Sequence, residues 1–154
     1  MESVDRAFAK EYQIVNDAVR RHTPGFAGRG FDLMGVSLEG SRKRQRFPVY
    51  HLQNQQTGMA IDISFVPAAN GLNGGFTALI IKPVNQKMDL EDHLKAHGGE
   101  ALAPFFTYRD PHIDLGGFAE GFFQMLGGLM DNALKPVIEG RFFQETPIDW
   151  MGYK

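Results

Sequence analysis

Residues 59–66 carry the most constraining pattern in the chain. Met59, Ile61, Ile63 and Phe65 alternate with Ala60, Asp62, Ser64 and Val66. A period of two is that of a β-strand with one face buried. Its neighbours Arg44–Gln53 and Phe76–Lys82 read as antiparallel partners. Gln55-Gln56-Thr57-Gly58 supplies the first turn and Asn70-Gly71-Leu72-Asn73-Gly74-Gly75 the second, both rich in residues that tolerate positive φ. Thr77-Ala78-Leu79-Ile80-Ile81 is apolar on both faces and so belongs centrally in the sheet. A sheet of this kind must lay its apolar face on a second layer.

The flanking segments offer that layer. Ser3 to His22 reads as a helix, with Val4, Phe8, Tyr12, Val15 and Val19 as its apolar stripe. Ser3 caps it, Asp5 suits its start, and Thr23-Pro24-Gly25 stops it. A glycine-rich loop follows, then a strand from Phe31 to Leu38 with Gly35 as its weak point. Met88 to His97 reads as a second helix capped by Asp89 and ended by Gly98-Gly99. Phe105, Phe106 and Tyr108 should be buried. Asp114 to Lys135 reads as a third helix, its buried face running Leu115, Phe118, Phe122, Met125, Leu126, Leu129 and Ala133. Gly116, Gly117, Gly121, Gly127 and Gly128 each cost about 1 kcal/mol against alanine in a helix interior. That cost implies close approach of another backbone, within the domain or across a dimer, or a break at Gly127-Gly128. The tail from Val137 to Lys154 is too aromatic to stay free of the domain or of a partner. The expected fold is α+β: one domain over residues 1–154, with an N-terminal helix, an antiparallel sheet of about four strands and C-terminal helices.

Composition narrows the function classes. The chain has 154 residues, 43% hydrophobic and 22% charged, enough for one core without staples. Its net charge of −2 favours neither nucleic acid nor an anionic membrane. The absence of cysteine removes disulfides, thiolate nucleophiles and cysteine-based zinc sites. The first residues lack the basic-then-apolar pattern of a secretory signal, so the expected compartment is the cytoplasm.

No stretch fixes a chemistry. His93 and His97, with Asp89 one turn earlier, have zinc-pair spacing but no further ligands, so no metal and no cofactor is expected. His51 and Asp62 fall near each other on adjacent strands, where a carboxylate can orient a general base. The plainer reading is a cross-strand polar pair, because no nucleophile stands in a known motif such as Gly-x-Ser-x-Gly. The glycine clusters lack the Gly-Lys-Ser/Thr end of a phosphate loop. Gly117-x-x-x-Gly121 lies among too many polar residues for a membrane span. Charge concentrates in two places, the basic run Arg42, Lys43, Arg44 and Arg46, and the acidic group Asp89, Glu91 and Asp92.

Two functions fit these features. The first is a protein-binding module without catalytic activity, such as an immunity protein or antitoxin that occludes a toxin, using those seven charged residues. The second is a small-ligand binder or enzyme. Its pocket would lie between the sheet and the third helix, lined by Phe118, Phe122 and Met125 with His51 and Asp62 at the mouth.

Overall fold

The computed structural model describes residues 9–40, 46–68, 73–82, 86–96, 98–109, 113–132 and 134; at Glu39, Gly40, Arg46, Lys82 and Gln86 only the backbone is described. The expected first turn of the N-terminal helix, Arg42, Lys43, Arg44, His97 and the aromatic tail lie outside these residues. The elements are α1 (Ala9–Gly28), β1 (Asp32–Gly40), β2 (Arg46–Gln53), β3 (Ala60–Val66), β4 (Gly74–Lys82), β5 (Gln86–Asp89), α2 (Leu90–Ala96), a 3₁₀ helix (Glu100–Phe105), β6 (Thr107–Tyr108) and α3 (Leu115–Asp131). The fold is α+β, with helices stacked on one face of an antiparallel sheet.

The sheet runs β1-β2-β3-β4-β5, with β6 also pairing with β4. It has two more strands than the meander expected from sequence. β3 behaves as its alternation requires: Ile61, Ile63 and Phe65 are buried, and the residues between them are intermediate. Asn54 shapes the β2–β3 turn, its side-chain oxygen accepting from the amides of Gln56 (3.0 Å) and Thr57 (3.1 Å). Between β5 and β6 the chain leaves the edge of β4, forms α2 and the 3₁₀ helix, and returns to the same edge. That return needs glycine. A Cβ on Gly75, whose φ is +151°, would sit 1.8 Å from the Phe106 carbonyl oxygen, which accepts from the Phe76 amide.

α1 does not stop at Thr23-Pro24-Gly25. Pro24 cannot donate to the carbonyl one turn back, yet the helix continues to Gly28. Phe26 is the reason. It is buried and packs edge-on against Phe123 of α3 at 6.2 Å between centroids. The helix ends instead at Gly30 (φ +91°), where the Phe31 amide donates to Phe26 O and the Gly30 amide to Ala27 O, a Schellman motif.

α3 is unbroken through Gly127-Gly128. Gly127 makes room for a side chain instead of a backbone: a Cβ there would lie 3.2 Å from the Arg29 guanidinium. Arg29 donates to both Asp131 carboxylate oxygens, at 2.8 and 3.0 Å. One turn-rich end of α1 is thus tied to the end of α3. Arg21 and His22 grip Glu120 further along, at 2.9 and 2.6 Å.

The core lies between the helices and the sheet. Phe122 is fully buried and stacks on Phe76 with centroids 4.2 Å apart and planes 9° from parallel. Tyr12 meets Phe65 edge-on at 6.2 Å. Such aromatic pairs add about 0.5–1.5 kcal/mol beyond the area they bury. Phe106 and Tyr108 are buried as expected, but Phe105 is 37% exposed. Met88 and Asp89 end β5 and do not begin α2.

Candidate functional site

Side chains on a strand alternate between faces. Because Ile61 and Ile63 face the helices, Asp62 faces away from them, on the side of the sheet that the helices leave uncovered. His51 is directly opposite Asp62 on β2, and Ser37 of β1 is opposite Val49, two residues from His51. The three form a hydrogen-bonded line. Asp62 Oδ1 is 2.9 Å from His51 Nδ1, and His51 Nε2 is 2.7 Å from Ser37 Oγ. Gly35, the residue paired with His51 on β1, contributes no side chain. The line is open to solvent, with the His51 and Asp62 side chains 36% and 23% exposed.

The polarity of the line follows from chemistry. An ionised carboxylate only accepts, so Nδ1 carries the proton that it receives. A neutral imidazole protonated at Nδ1 can only accept at Nε2, so Ser37 donates its hydroxyl hydrogen there. The expected His51–Asp62 pair therefore exists and has a third member. Ser37 was not singled out in the sequence because its strand was expected to end at Leu38 and the next to begin at Arg44, whereas β1 runs to Gly40 and β2 begins at Arg46. Without those bounds the register across the pair, and so which β1 side chains share the His51 face, is not readable.

A second feature lies at the sheet edge. No described strand pairs with the far side of β1. On this strand Met34 is 54% and Val36 50% exposed, both large apolar side chains. Beside them, between α1 and the start of β2, runs an open groove of about 330 Å³ lined by Tyr12, Gln13, Asn16, Val36, Leu38 and Tyr50 among others. Tyr50 closes its floor, and burial pushes the Tyr50 hydroxyl up to about 12, so it stays neutral.

The acidic group is brought together at the start of α2. Asp89 caps the helix, accepting from the Asp92 amide at 3.1 Å. Glu91 pairs with Lys95 at 3.3 Å, and Asp92 is exposed. Burial, with the negative charges of Asp92 and Glu91 adding to it, holds the Asp89 carboxyl above its usual range despite the capping amide. The basic run is elsewhere. Arg46 opens β2, three strands from β5, which puts it roughly 14 Å or more from Asp89. Arg42, Lys43 and Arg44 belong to the connection between β1 and β2.

The pocket expected between the sheet and the third helix is not found among the described residues. Phe122 stacks directly on Phe76, and His51 and Asp62 are on the opposite face of the sheet. Phe118 lines a dimple of about 200 Å³ with Pro104, Phe105, Gly117 and Gly121, on the outer side of α3. His93 is buried, not part of a solvated face, and among the described residues no group of three metal-ligating side chains occurs. Nor is any described helix long and apolar enough to cross a membrane. Comparison with protein families, curated proteins and solved structures found no match.

Proposed function

We propose that the chain is a protein-binding module that receives an extended segment of its partner along the free edge of β1. The observation that carries this reading is the coincidence of a strand edge that no described strand pairs with, two exposed apolar side chains at Met34 and Val36 on it, and an adjoining groove. Natural sheets blunt free edges with charges, prolines or coverings. β1 carries the charge of Asp32 and a bulge at Leu33/Gly35 at its start, but it also presents Met34, Gly35 and Val36. Strand addition uses main-chain hydrogen bonds for affinity and pockets for alternate side chains for specificity. Val36 and Tyr50 would contact every second side chain of the incoming strand. The basic run Arg42, Lys43, Arg44 and Arg46 follows β1 directly in sequence, so a partner segment with acidic residues at one end suits it. Occlusion of a toxin, as by an immunity protein or antitoxin, is the specific form of this function that we favour; it requires no catalytic group. Asp89, Glu91 and Asp92 form a separate charged patch that can contact the body of the partner.

The test is capture of partners on the full chain, followed by titration of the captured partner against Val36→Lys and Val36→Pro. Both changes are at an exposed edge and should leave the fold intact. A loss of binding of about tenfold or more, with competition by an extended peptide from the partner, is expected. A partner bound equally by all three proteins, or a tightly held small molecule in place of a protein, contradicts the reading.

A further inference from the structure

We propose that Ser37, His51 and Asp62 also form a nucleophilic site that cleaves simple acyl esters. It is independent of strand addition: the edge of β1 would hold a partner, whereas these side chains project from the face opposite the described helices. A weak nucleophile such as a serine hydroxyl is activated by a base within hydrogen-bond reach, itself oriented by a third group. Both conditions are met, at 2.7 Å for Ser37 Oγ to His51 Nε2 and 2.9 Å for His51 Nδ1 to Asp62. This set of roles recurs on unrelated folds and is recognised by geometry, not by chain order.

The step is acyl transfer. Ser37 Oγ bonds to the ester carbonyl carbon as its proton passes to His51 Nε2. The bond from that carbon to the leaving oxygen then breaks, and the leaving alcohol takes the proton from Nε2. Water, losing a proton to Nε2, attacks the acyl-serine; the carboxylic acid departs and the proton returns to Ser37 Oγ. Asp62 is a positioning residue, which holds the imidazole with Nε2 free to accept. Because no described pocket encloses the line, small esters with good leaving groups are the substrates that fit, and rate should rise linearly with ester concentration.

The full chain is incubated with 4-nitrophenyl acetate and, separately, with an alkyl fluorophosphonate, and the modified residue is located by peptide mass spectrometry. Modification at Ser37 is expected, with hydrolysis falling about 100-fold or more in Ser37→Ala and His51→Gln, the usual range for loss of a nucleophile–base pair. Asp62→Asn should lower the rate and alter its pH profile while the melting temperature holds. The site of modification in the wild-type chain decides the matter even where a variant misfolds. Label found on lysines or on His51 itself, no label at all, or an undiminished rate in a folded Ser37→Ala overturns the proposal.

Discussion

Asp89 shows how one side chain serves two opposed demands. Its carboxylate caps α2, and the same position strips it of water beside Glu91 and Asp92. Its proton is held more tightly in the folded chain than in the unfolded one. The stability this gives is complete below the ordinary carboxylate range and is lost as pH rises through the raised folded value. Asn caps a helix about as well as Asp but carries no charge. Asp89→Asn should therefore match the wild type near pH 3 and become relatively more stable towards pH 7, as read by thermal melting across that range. A variant that loses ground as pH rises would show that the charge, not the cap, holds α2. Gly75 is constrained by space. With the Phe106 oxygen 1.8 Å from a hypothetical Cβ, Gly75→Ala should cost about 3 kcal/mol or more in a denaturant titration, because the backbone of either strand must move. This role of Gly75 was not visible beforehand; sequence marked the Gly74-Gly75 turn, but the close approach of β6 is a tertiary fact.

Among the elements, those with strong periodicity were legible. β3 and its first turn follow their patterns, and α3 buries Leu115, Phe122, Leu126 and Leu129 as its spacing requires, with Ala119, Phe123 and Met130 widening the face and Phe118 and Met125 only partly buried. α1 misled at Pro24, since local propensity was outweighed by burial of Phe26. β5 was missed because Asp89 signals a helix start correctly, and a strand of four residues that ends on it is too short to show alternation. The site divided in the same way. His51 and Asp62 were readable from a short hairpin, whereas the bounds of β1 and β2, and with them the register that brings Ser37 to His51, were not. Ile63→Asp tests the layer arrangement. Ile63 is buried on the helix-facing side of β3, paired with Tyr50 and Ala78. A buried, unpartnered carboxylate costs several kcal/mol, close to the whole stability of a typical domain at roughly 5–15 kcal/mol. The variant should be unfolded by circular dichroism, and a soluble protein melting near the wild type would contradict the sheet orientation.

On the scale of the molecule, the two long helices are tied at two places along their contact, by Arg21 and His22 on Glu120 and by Arg29 on Asp131. Arg21 first, then His22, holds the Glu120 carboxyl below its usual range. Its stabilising effect is present above that range and fades as pH falls through the lowered value. Glu120→Gln should cost less than about 1 kcal/mol at neutral pH, since the pair faces solvent, and nothing in strong acid. Among the described residues the helices occupy one side of the sheet, no strand pairs with the far side of β1, and Ser37, His51 and Asp62 lie on the face opposite the helices. Amide hydrogen exchange of the full chain, with and without its captured partner, tests the edge most directly. Strand addition is expected to slow exchange along residues 33–39 of β1 while α3 stays unchanged. Slowing confined to the start of α2, around Asp89, Glu91 and Asp92, with β1 unaffected, would contradict it.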